Sequence, residues 1–154
     1  PSMLPSTTER VPLHTSDCSN EAIRRQTEEN VAHVAAAGPE AIARRLRELD
    51  REWDIERTLE ANAASVALIG LGLGTFVNRR LYILPGIVCG FLLQHALQGW
   101  CPPVPLFRRL GFRTCSEIDH ERYALKALRG DFRPVTEDSY GRTDTHQALE
   151  AARR

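Results

Sequence analysis

Four cysteines and five histidines are the residues best equipped for chemistry in this 154-residue chain. Cys101 and Cys115 form the sharpest pair, 14 positions apart and just past a long apolar run. A thiolate is both a nucleophile and a soft ligand, so such a pair can close a disulfide, relay a persulfide or supply half of a metal site. A zinc site wants four ligands, and the local candidates are few: His120 and His95. On a cytoplasmic face a stable disulfide is not expected. The plainer reading makes both thiols small packing residues that fix a loop against helix ends. It is preferred because the lowered pKa that reactivity requires is not written in a sequence.

His95 lies with Gln94 and Gln98 in the only strongly polar cluster of the second apolar run. A histidine in a membrane helix can ligate a haem or a chlorophyll-type pigment, which makes His95 a candidate cofactor residue. A bis-histidine haem would need a second buried histidine, and the first apolar run has none. Such groups more often hydrogen-bond across helices or sit at headgroup level. No cofactor is therefore expected, with a pigment or haem at His95 as the alternative. Cys89, beside Gly90, reads as helix packing, and Cys18 has no visible partner. His14, His33, His120 and His146 are scattered without metal spacing. Asp54, Glu56 and Glu60 precede the first apolar run. They could line a proton path, but an acidic first turn is ordinarily solvated. No phosphate loop, Ser/His/Asp set or carboxylate pair is present, so no catalytic or metal residue is assigned.

The elements that hold these residues follow from charge. Ala61 to Asn78 is 18 residues without formal charge, and Leu81 to Phe107 is 27 more; Arg79 and Arg80 alone separate them. Two apolar runs around a two-residue break predict a membrane helical hairpin, with spans at 61–77 and 81–100. The first span would rise about 25 Å, near the short limit for crossing hydrocarbon. Ala63, Ala67, Gly70 and Gly74 recur at i, i+4, i+7 and i+11, so they share one face. Gly86 and Gly90 form a second small-xxx-small pair. Such faces let helix backbones approach closely, and in lipid close packing replaces the missing hydrophobic drive.

Around the hairpin the chain is polar. Residues 1–18 are rich in Pro, Ser and Thr and read as flexible. Residues 19–60 form a helical arm, broken at Gly38-Pro39. Its second part carries Ile42, Leu46, Leu49, Trp53 and Leu59 at helical spacing, an amphipathic helix for a membrane or partner surface. Residues 101–130 hold a Cys-Pro loop and a short amphipathic helix starting near Ser116 and closed by Gly130; 131–154 is a polar tail ending in a helical turn or two. Trp53, Trp100, Arg108 and Arg109 are the expected interface residues, the tryptophans as amphipathic anchors and the arginines as contact charges.

The fold class is thus an all-α membrane protein, a two-span hairpin with amphipathic arms. The average hides it: a mean hydropathy of -0.33 and zero net charge would suit a water-soluble globule. The length allows one compact domain at most. Neutrality, with no one-signed basic block, gives no case for nucleic acid. The first residues lack an apolar signal core, so insertion is expected to rely on the internal spans. Arginines on both flanks outnumber those in the turn, which predicts both termini in the cytoplasm.

The stretch 62–115 resembles the YgaP-like transmembrane-domain family of bacterial membrane proteins. The resemblance is carried by Cys101-Pro102, by Gly111-Phe112-Arg113-Thr114-Cys115, by the arginine after the first span and by the span glycines. It covers about a third of the chain. It implies a two-helix module of the bacterial inner membrane. Some members carry a rhodanese domain, for which neither arm here has the length or the strand–helix alternation. The preferred expectation is a non-enzymatic accessory subunit that docks to and stabilises a larger membrane complex, with energy-transducing or photosynthetic assemblies as candidate hosts. The alternative is a thiol-based sulfur-transfer or redox accessory using Cys101 and Cys115.

Overall fold

The computed structural model describes residues 5–133, 135 and 145–153. Among them all regular secondary structure is helix, with no strand. Helix α1 spans Asp17–Ala36 and α2 spans Pro39–Leu49. Gly38 joins them at φ 95°, a backbone that a side chain resists, and Pro39 starts the next helix where its missing N–H is harmless. Helix α2 buries Ala41, Ile42, Leu46 and Leu49 along one face.

Helix α2 stops at Leu49 and does not continue through Trp53 to Leu59. The reason is Asp54. Its carboxylate accepts the Arg57 N–H at 2.8 Å and caps a new helix, α3, over Ile55–Phe76. A competing N-cap ends the amphipathic repeat early, because the orphan donors of a helix start seek an oxygen. Asn78 caps the next turn through the Arg80 N–H at 2.9 Å, and a short 3-10 turn, Arg79–Tyr82, leads into α4 at Ile83–Gln98. Gly99, at φ 83°, closes α4.

Helix α5 is short, Val104–Arg109; α6 spans Cys115–Arg129 and ends at Gly130; α7 spans Thr145–Arg153. The last two match the expected short amphipathic helix and the terminal helical turns. The polar stretch 136–144 lies outside the described residues.

The chain forms two compact units, where its length suggested one. The first comprises the described parts of Pro1–Arg24 and Trp53–Ser116; the second, those of Arg25–Glu52 and Glu117–Arg154. Each has its own core. In the first, Val11, Ile55, Leu59, Cys101 and Val104 are buried together, and Phe91, Phe107 and Phe112 pack on them. In the second, Ile42, Leu46, Leu49, Ile118 and Leu125 are buried against Val31 and Val34. Each fully buried aliphatic side chain contributes about 1.5–3 kcal/mol, an upper figure for a compact unfolded chain.

Val11 gives the Pro- and Ser-rich start a contact with the first unit. Residues 5–16 hold a 3-10 turn, Pro12–His14, and Val11 is buried in the first core. Val11 is buried while Leu13, two residues on, is exposed, and so short a pattern leaves no periodic signal.

Helix α3 meets α4 at Gly70 and the preceding 3-10 turn at Gly74. A Cβ added at Gly70 would lie 2.8 Å from Pro85 Cδ and 3.0 Å from Leu84 Cβ. One added at Gly74 would lie 2.7 Å from the Tyr82 ring. The bare backbones are what permit this approach. Two helical segments, Ile55–Phe76 and Arg79–Gln98, are long and apolar enough to cross a membrane.

Candidate functional site

At one end of α3 and α4, three charged or titratable side chains converge. Glu56 stands in the first turn of α3, which the Asp54 cap fixes. His95 stands in the last turn of α4, which Gly99 terminates. His95 Nε2 is 2.7 Å from Glu56 Oε2. Arg10, from the amino-terminal segment, completes the knot. Its Nη2 donates to Glu56 Oε1 at 2.9 Å, and its Nη1 donates to the Ala96 carbonyl at 2.8 Å.

The knot is well enclosed. His95 is 3% exposed, and its Nδ1 is buried without a protein partner among the described residues, as is Arg10 Nε. With the histidine neutral and Glu56 ionised, Arg10 balances the carboxylate. Gly99 lets the segment lie close: a Cβ there would fall 2.3 Å from the Arg10 carbonyl oxygen.

The cysteines differ in setting. None of the four is in a disulfide. Cys101 is buried in the first core, and burial pushes its thiol above the usual range, away from reactivity. Cys115 is exposed at the first position of α6. Cys18 begins the exposed side of α1, and Cys89 is exposed on α4. Among the described residues no three His, Cys, Asp or Glu side chains are grouped to hold a metal ion. Beside Cys101 a cavity of about 210 Å³ opens between Leu59, Ala63, Val66, Phe91 and Pro103. Its walls are mainly apolar, with Asn62 the one amide side chain among the lining residues.

The small residues divide. Ala63 and Ala67 are half-buried on the α3 face that carries Gly70 and Gly74. Gly86 and Gly90 look onto open space: an added Cβ meets nothing within 4 Å at either. They take no part in the α3–α4 contact.

The expected interface residues divide as well. Trp53 is exposed, with the Arg57 guanidinium 4.5 Å from its ring centre. Trp100 is half-buried, edge-on to Phe91 at 6.2 Å. Arg109 is exposed, but Arg108 is 1% exposed. A buried guanidinium requires acceptors, and Arg108 has them within the chain: Asn20 Oδ1 at 2.9 Å and the Phe112 carbonyl at 3.1 Å. It is an internal fastener and not a free contact charge.

Sequence reasoning singled out Glu56 and His95 separately and did not pair them. Arg10 escaped it entirely. One signal was present: when two helices run up and down, the start of the first meets the end of the second. An acid at one and a lone histidine at the other are then neighbours. Compared with known protein families, curated proteins and solved structures, the chain matches none.

Proposed function

We propose that this protein is a small integral membrane accessory subunit. In this reading α3 and α4 cross a bacterial inner membrane as a hairpin, with both termini in the cytoplasm and the arms available to a larger membrane complex. The protein stabilises that complex and does no chemistry of its own. The family resemblance at 62–115 is part of the same proposal.

One observation carries it. The most apolar stretches of the two helices are only 17% and 6% buried within the chain. Leu68, Ile69, Phe76, Val77, Ile83 and Leu93 all stand exposed. A core helix of a water-soluble protein hides such residues, and a patch of this size needs an apolar surrounding. Two spans alone cover little of each other, so lipid and a partner are the natural cover. The buried, raised thiol of Cys101 weighs against the sulfur-transfer alternative.

Reporter fusions at residues 40 and 140 test the topology. Both are expected to report cytoplasm; opposite signals remove the hairpin, because an even number of crossings returns the chain to its starting side. Purification from native membranes in a gentle detergent tests the partner. The chain is expected to travel with a larger assembly, and migration as a lone small protein counts against the proposal.

A further inference from the structure

In the second unit, α2, α6 and α7 enclose a polar cavity of about 180 Å³. Arg122, Lys126 and Arg153 line it together with a single carboxylate, Asp50. Even counting Asp119, which pairs with Arg122 from off the wall, three cations stand against two carboxylates and the cavity is net positive. We propose that this cavity is an anion site that takes a phosphate group, as a free ion or as the headgroup of a lipid.

The side chains are built for it. Lys126 is buried, and its Nζ donates to the Ala152 carbonyl at 2.7 Å. An ammonium carries three donors, so two remain for another acceptor. Its flank is covered by the Tyr123 ring, whose centre is 5.7 Å away. Lys126 is thus held in place by one carbonyl and one ring, with charge to spare. Arg122 gives Nη1 to Asp119 at 2.9 Å and Nη2 to Asp50 at 3.3 Å. Its Nε is buried and has no protein partner among the described residues. Arg153 adds a third cation from the end of α7.

Among the described residues Asp50 is the carboxylate on the cavity wall, while Asp119, off the wall, occupies Arg122 Nη1 alone. The Asp50 side chain is 67% exposed and its contact with Arg122 is long, so it can swing into solvent when an anion arrives. A phosphate dianion matches what remains: several oxygens for a guanidinium edge, an ammonium and a mobile arginine. The cavity is large enough for a phosphate and its ester carbon, and the charge repulsion among its walls falls when the anion enters.

The full chain, in phosphatidylcholine nanodiscs, would be titrated with inorganic phosphate by calorimetry. Saturable binding that weakens as salt rises is expected. Lys126→Gln should weaken it roughly tenfold, the loss of a charge-assisted hydrogen bond in a buried place. Arg153→Gln should weaken it roughly threefold, as an exposed charge does. If Lys126→Gln fails to fold, the exposed Arg153→Gln and the pair Arg122→Gln with Arg153→Gln decide the matter. Repeating the titration with phosphatidic acid in the disc separates the sources: lost phosphate heat assigns the site to a lipid headgroup, and unchanged heat assigns it to the free ion. Absence of phosphate heat in the phosphatidylcholine disc, or binding that Arg122→Gln and Arg153→Gln leave untouched, overturns the proposal.

Discussion

His95 and Glu56, 39 positions apart, meet at 2.7 Å and tie the end of α4 to the start of α3. Arg10 lies on the same carboxylate and so fastens the amino-terminal segment to both helices. Glu56→Gln keeps the shape and removes the charge. It is expected to lower stability by about 1–3 kcal/mol, the usual effect of leaving a buried donor badly matched. The freed segment should be cut by trypsin after Arg10 faster than in the parent, while helix content holds. Gly99→Ala should give the same cleavage from the other side, since its Cβ would strike the Arg10 backbone. Parent-like cleavage in both variants would falsify the fastening.

The glycines give opposite expectations at two positions of the same helix pair. At Gly70 a methyl meets the Pro85 ring, which cannot turn away. Overpacking of this kind costs about 1–3 kcal/mol, more than the helix propensity that alanine gains. At Gly90 the methyl meets nothing, so Gly90→Ala should stabilise the isolated chain by up to about 1 kcal/mol. Thermal unfolding in detergent measures both. If Gly90→Ala also detaches the chain from its assembly, that open face is where a partner helix lies.

Thiol labelling should rank the two cysteines beyond the second apolar run. With Cys18 and Cys89 replaced by serine, Cys115 should react with a maleimide readily and Cys101 only after unfolding. Burial raises the folded pKa of Cys101 above its unfolded value. Its stabilising effect is therefore whole below the ordinary thiol pKa, near 9.0, and is lost as pH climbs past it. A melting series from pH 7 to about pH 10 should show that decline, and Cys101→Ser should flatten it. A slope that survives the serine rules out Cys101 as its source.

Glu121 offers a test in the second unit. Its side chain is 0% exposed and its Oε1 accepts from Arg45 Nε at 2.7 Å. Glu48 and Glu52 also face Arg45, and together they hold its guanidinium charge firmly. Arg45→Met should destabilise by about 3–5 kcal/mol, because a buried carboxylate loses its cation. Adding Glu121→Met should restore much of that, since two apolar groups then replace a pair that desolvation opposes. Circular-dichroism melts of the two variants give the comparison. Equal damage in single and double variants would mean the pair acts through packing alone.

How far the sequence speaks depends on the range of each interaction. The two apolar helices are legible because loss of charge is a local property of 61–78 and 81–107. Gly70 and Gly74 are legible because a helix repeats itself every few residues. The end of α2 is a local matter that was missed: Asp54 reads as a solvated flank until its carboxylate is seen on the Arg57 N–H. The knot is different in kind. Arg10, Glu56 and His95 stand 46 and 39 positions apart, and no periodicity links them. Arg108 likewise looks like any exposed flanking arginine until Asn20, 88 positions earlier, reaches it.

The Arg10–Ala96 hydrogen bond also sets an order in time. Arg10 is translated 86 positions before the carbonyl it will hold. At roughly 5–20 residues per second, it waits some seconds for its acceptor. Through that interval the segment around Val11 has neither Glu56 nor the end of α4 to rest on. It must wait for both. A nascent chain halted before α4 is complete should therefore leave the segment around Arg10 open to protease, and protection of Arg10 marks the moment at which the second apolar helix has arrived.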